Sequence, residues 1–118
     1  QRSVNRFLPE HTVFQAIRLG DVALLGLPAE IDAALGEAAR AAVPSGLLAM
    51  PIAHANDWLG YGVSSDAYRR GSYEASLSFF GEAFGAWLLE QATATLGRSA
   101  ASPERDPARR VDASSGDS

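Results

Sequence analysis

The chain has 118 residues, 47% of them hydrophobic, which is one-domain length and enough apolar material for a packed core. Ten basic against fourteen acidic residues give a net charge of -4, so no basic surface collects phosphates, and nucleic acid and anionic membranes are disfavoured as partners. Cysteine is absent, which removes thiol catalysis, thiolate metal sites and disulfides together.

Residues 1–12 mix charge, Asn5 and Pro9 without periodicity and read as a loop entering the fold. No apolar leader core stands there, and the one methionine is the internal Met50, so a processed or truncated chain is expected. Residues 13–19 and 22–27 are β-branched and aliphatic runs separated by Gly20-Asp21, the dipeptide of a two-residue hairpin turn with glycine at positive φ. The second run is apolar on both faces and asks for partners on both. Pro28 ends it and suits the first turn of a helix over 29–42, with Ile31, Leu35, Ala38 and Ala42 inward and Asp32, Glu37 and Arg40 outward. Gly36 within it costs about 1 kcal/mol of helix propensity relative to alanine. Pro44, Ser45 and Gly46 close the helix. Residues 47–53 form a third strand, in which Pro51 requires an edge, a bulge or the strand end.

Residues 54–71, rich in Asn, Asp, Gly, Ser and Tyr, read as an elaborated loop. A long helix is expected over 72–96, with Tyr73, Leu77, Phe80, Phe84, Trp87 and Leu88 on one stripe and Gly97 as its cap. From Arg98 the composition turns to Ala, Ser, Pro, Asp and Arg, a disordered tail over 98–118. No apolar run is long enough to span a bilayer.

Glu30 follows an apolar strand, where open α/β sheets place functional groups; the same carboxylate also stabilises a helix dipole. His54 and His11 are the two imidazoles, and they form no His-x-His or His-x-x-x-His pair. His54 reads as a strand-end histidine or a pocket residue, and His11 as a loop residue. All three tyrosines, Tyr61, Tyr68 and Tyr73, fall within one loop and the start of one helix. That grouping fits either interfacial ring packing or a hydroxyl-lined pocket. No Gly-x-Ser-x-Gly elbow marks a serine nucleophile.

Three stretches taken together carry a family resemblance. They are Gly20-Asp21-Val22-Ala23-Leu24-Leu25-Gly26-Leu27-Pro28-Ala29-Glu30, Ala55-Asn56-Asp57-Trp58-Leu59-Gly60-Tyr61, and Ala67-Tyr68-Arg69-Arg70-Gly71-Ser72-Tyr73-Glu74-Ala75-Ser76. In order and approximate spacing they resemble the neutral/alkaline non-lysosomal ceramidases, over roughly residues 13–96. The sequence departs from the family pattern at Ala29, at Ser64-Ser65-Asp66-Ala67 and at Gly71-Ser72.

The resemblance implies a mixed α/β segment of hairpin, helix, strand, Tyr-rich loop and long C-terminal helix. Residues 1–97 would be the C-terminal part of a ceramidase-type catalytic domain. Glu30 and Tyr61 would be zinc ligands and Tyr73 would line the catalytic pocket. Two histidine ligands, with a pocket serine and arginine, would lie upstream of this chain. The parent would be a zinc-dependent amidohydrolase cleaving the N-acyl bond of ceramide or a related N-acyl lipid, and the isolated chain is expected to be inactive. Ending in the tail, the parent would lack the further β-sandwich domain that many ceramidases carry. Only the resemblance suggests a compartment, secreted or periplasmic. The rival readings are a noncatalytic binding or structural module, and the same metallohydrolase fold acting on another amide or ester.

Overall fold

A computed structural model describes residues 8–101, with the side chains of residues 8–99. The expected hairpin forms β1 (Gln15–Leu19) and β2 (Val22–Gly26), antiparallel with Leu19 opposite Val22. Gly20 turns the chain at φ 58°, a value open to glycine at little cost. The third expected strand forms, but two elements precede it in the chain. In chain order these are β3 (Glu30–Ile31) and α1 (Ala33–Ala42), followed by β4 (Leu48–Ile52). β4 pairs parallel with β2, giving a mixed sheet of order β1-β2-β4. Pro51 therefore stands on an edge strand, where its missing N–H breaks no ladder.

The first helix begins four residues later than expected. Pro28 and Ala29 are buried connection and Glu30 is a strand residue, so Glu30 does not sit in a helical first turn. Asp32 accounts for the shift. It is the N-cap of α1, its Oδ1 accepting from the Leu35 amide at 2.8 Å. The buried face is Leu35 and Ala39, one turn apart, and not the Ala38 and Ala42 stripe.

Within the expected loop, β5 (Tyr61–Gly62) pairs parallel with β3, and α2 (Ser65–Arg70) follows, capped by the Ser64 hydroxyl and by Gly71 at φ 71°. The expected long helix is broken into α3 (Tyr73–Ser76) and α4 (Phe84–Ala101), with Gly81 at φ 89° between them. One stripe therefore does not form: Phe84, Leu88, Ala92 and Leu96 are buried at four-residue spacing, whereas Tyr73 is 72% exposed. Gly97 lies inside α4 and is no cap; of the expected tail, residues 98–101 are helical and the remainder, like residues 1–7, lies outside the described residues.

α1 and α4 cover one face of the three-stranded sheet, where Ala23, Leu25 and Ala49 are inaccessible and pack against Ala39, Phe84, Leu88, Ala92 and Leu96. The register places Ile17, Leu24 and Met50 on the opposite face, with Leu19, Leu48 and Ile52. The outermost of these stay exposed: Ile17 by 49%, Leu19 by 61% and Leu48 by 55%. The partners that β2 asks for are thus present on one side.

β5 lies against α4 with no room for side chains. A Cβ on Gly62 would meet Leu88 Cδ1 at 2.3 Å, and one on Gly85 the Val63 carbonyl oxygen at 2.3 Å. Backbone cannot yield as a side-chain tip can. Gly85→Ala is expected to lower stability by about 1–3 kcal/mol, while Gly97→Ala, with nothing within 4 Å, is expected to raise it by about 0.5–1 kcal/mol. Urea unfolding of the two variants checks both signs.

Candidate metal centre

The β3–β5 ladder sets Glu30 directly opposite Tyr61, with the Glu30 amide donating to the Gly60 carbonyl at 3.1 Å and the Asp32 amide to the Gly62 carbonyl at 3.3 Å. Partners opposite one another on a parallel ladder face the same side of the sheet. Carboxylate and phenol therefore converge from elements 31 positions apart, the difference of 61 and 30. Tyr73 at the head of α3 brings its ring edge-on to Tyr61, centroids 6.5 Å apart. The three residues expected to act together are thus neighbours, with Tyr68 on α2 as the tyrosine not paired to them by a ring contact.

Two features hold the pair in place. Asp32 is the first: beyond capping α1, its Oδ2 accepts from the Ser64 amide at 2.8 Å and the Ser64 hydroxyl at 2.9 Å. Ser64 in turn caps α2 by accepting from the Ala67 amide at 3.3 Å. One carboxylate thereby ties the ends of β3 and β5 to two helix starts. The sequence signal was present, an Asp three residues before Leu35, but it was masked by a plausible earlier start at Pro28. Gly60 is the second. It stands at φ 87° directly before Tyr61, and a Cβ there would meet the Leu77 carbonyl oxygen at 2.7 Å.

His54 also reaches the site. It follows β4, sits at φ 57°, and places Nε2 3.4 Å from Glu30 Oε2, with both side chains partly open to solvent. The loop bearing it is fastened by Thr12 donating to Asp57 at 2.7 Å and Asn56 donating to Gln15 at 3.1 Å. His11 lies elsewhere, in the lining of an apolar cavity of about 430 Å³ with Leu59, Phe80, Phe84 and Trp87.

Glu30 governs the acidity of Tyr61. Hydrogen bonding to the carboxylate holds the phenol above its ordinary pKa, and partial desolvation and the carboxylate's charge act in the same direction. Among the described residues no group of three or more His, Cys, Asp and Glu is placed to hold a metal ion. The donors this chain brings together are a carboxylate, a phenol and one imidazole.

Two solved structures share this arrangement of elements. A ceramidase complexed with C2 and the neutral ceramidase from Pseudomonas aeruginosa each superpose with a TM-score of 0.63 at 25% identity, over 74% of this chain and 15% of theirs. The chain therefore spans about one seventh of the length of either. No protein-family model matches the sequence, and no curated protein matches it.

Two outcomes follow from the geometry. Asp32→Ala, which removes acceptors for three donors, is expected to cost about 2 kcal/mol in denaturant unfolding, and Asp32→Asn, which keeps the cap, less. Glu30→Gln is expected to move the Tyr61 phenol titration down toward that of a free tyrosine, read from the tyrosine ring resonances by NMR. The sign follows from the raised folded value: the stabilisation is complete below the unfolded phenol pKa and is lost as pH rises through the folded one.

The chain has a ceramidase-like fold, a mixed helix and strand segment matching part of the neutral ceramidase structure.

Proposed function

We propose that this chain is part of a zinc-dependent amidohydrolase that cleaves the N-acyl bond of ceramide or a related N-acyl lipid. The observation that carries the proposal is the register pairing of Glu30 with Tyr61, two oxygen donors converging on one side of the β3–β5 ladder in a ceramidase-like fold. The donor set fits zinc, which accepts carboxylate oxygen readily and takes a phenol once other ligands are present. Glu30 and Tyr61 would hold the ion together with two histidines from the part of the protein upstream. A bound zinc supplies Lewis acidity, polarising a carbonyl and lowering the pKa of a coordinated water toward neutrality.

The chain's own residues do the positioning. Glu30 orients the Tyr61 phenol, and the Asp32–Ser64 link fixes both at the ends of their strands. Tyr73, largely exposed and edge-on to Tyr61, would present its hydroxyl to the substrate's amide group. The cavity that His11 lines has Leu59, Phe80, Phe84 and Trp87 in its wall, side chains that suit hydrocarbon. The open sheet face bearing Ile17, Leu19, Leu48 and Met50 would receive the upstream part of the same domain, burying what is otherwise an exposed apolar surface. On its own the chain would not hydrolyse substrate, because two metal ligands and the remaining pocket groups are not in it.

The test is zinc stoichiometry and hydrolysis of a fluorescent ceramide by the intact parent, compared with Glu30→Ala and Tyr61→Phe. The parent is expected to bind zinc and cleave the amide, and each variant to lose more than the roughly 10–100-fold that residues merely orienting a ligand account for. A parent that binds zinc and ignores ceramide contradicts the substrate, and one that binds no metal contradicts the site.

A further inference from the structure

We infer that residues 72–79, the short helix α3 and the turn after it, form a flap that seats Tyr73 against Tyr61 and swings away from it, with the Arg69–Glu82 ion pair as its latch. That the motion opens and closes a site rests on the reading of Tyr61 and Tyr73 under the proposed function; the motion itself does not. Three observations carry it. The first is how little the segment buries. α3 has no buried residue, whereas α2 buries Ala67 and α4 buries Phe84, Leu88, Ala92 and Leu96. It is tied to β5 by one backbone hydrogen bond, the Tyr61 amide donating to the Leu77 carbonyl at 3.2 Å. Rings add to this: Tyr73 meets Tyr61 edge-on, and Phe79 lies on Gly60 and meets Trp58 edge-on at 6.2 Å. Segments with few buried apolar contacts are the ones that open locally.

The second is a pair of hinges with a clasp across them. Gly71 and Gly81 bracket the segment at φ 71° and 89°, and a Cβ at either would meet nothing within 4 Å. Glycine absorbs dihedral change on both sides of φ zero, and open space lets it do so without a clash. Phe80 stays behind, its ring centroid 4.8 Å from that of Phe84 on α4. Arg69 and Glu82 stand just outside the two hinges and meet at 3.0 Å, which holds the ends of the segment together. An exposed pair of this kind biases a position and does not lock it. The third is Ser78. Its hydroxyl is buried, and among the described residues no protein group pairs with it. A buried hydroxyl without a partner opposes the seated position, and swinging out returns it to water. Latch and hydroxyl therefore act on one segment in opposite directions.

The experiment is residue-resolved hydrogen exchange of the intact parent by mass spectrometry, comparing two amides beside the β3–β5 ladder. The Tyr61 amide is bonded to the flap through the Leu77 carbonyl, and the Glu30 amide to Gly60 outside the flap. Corrected for intrinsic rates, Tyr61 is expected to exchange faster than Glu30. Glu82→Gln is expected to speed Tyr61 exchange by roughly 1.5–5-fold, the range an exposed ion pair gives, and added salt to do the same in the parent but not in the variant. Ser78→Ala is expected to slow it about fivefold or more. The Glu30 amide, unchanged in both variants, reports that the fold is retained. Exchange of Tyr61 and Glu30 together, responding alike, overturns the inference, because the ladder then opens as one unit. So does a Tyr61 rate that either variant leaves unmoved or moves in the opposite sense. If the rates come out as expected while Tyr73→Phe leaves ceramide hydrolysis by the parent intact, the flap stands and the place of Tyr73 in the pocket falls.

Discussion

A two-residue parallel ladder decides what this fold can do. Pairing Glu30–Ile31 with Tyr61–Gly62 requires the chain after β2 to stay extended, the loop after β4 to return alongside it, and α4 to lie close enough to roof the junction. Each demand falls on a particular residue. Gly62 and Gly85 permit the approach of α4, Gly60 permits the bend before Tyr61, and Asp32 ends the ladder by turning its carboxylate to two helix starts at once. A ladder this short contributes few hydrogen bonds of its own, so its register rests on these neighbours. The carboxylate–phenol pair is accordingly as well fixed as the Asp32–Ser64 link, and no better.

How much of this was legible depends on the length of each signal. The hairpin was readable because Gly20-Asp21 interrupts two apolar runs, and Pro51, which required an edge, a bulge or the strand end, stands on the edge strand β4. The start of α1 was misplaced because Pro28 and Glu30 imitate a helix beginning; the Asp32 side chain, capping the Leu35 amide, outcompeted them. β3 and β5 have two residues each and therefore no periodicity to detect. The break between α3 and α4 was hidden by aromatic residues that continue the helical spacing across it, although Gly81 at positive φ forbids a continuous helix. Phe80 and Trp87 then remain half exposed, stacked with Phe84 and not buried in a core.

The site was legible in a different way. Glu30, Tyr61 and Tyr73 were selected by likeness to a family, and no pattern of spacing would have paired residues on two strands that periodicity does not reveal. The structure brings these three together. His54 was seen in the sequence only as a strand-end or pocket imidazole, because its proximity to Glu30 depends on a left-handed turn that sequence does not announce for histidine. The apolar face of the sheet follows similar logic: the continuous apolar run of β2 asks for partners on both faces, and the described residues supply helices for one.

The central claim is that Glu30 and Tyr61 form the oxygen half of a metal centre completed from outside this chain. Anomalous diffraction at the zinc absorption edge, from crystals of the intact parent grown with zinc, tests it without reference to substrate. The account predicts one strong anomalous peak within bonding distance of both the Glu30 carboxylate and the Tyr61 hydroxyl. A zinc peak elsewhere, with these two side chains left to each other, would contradict it.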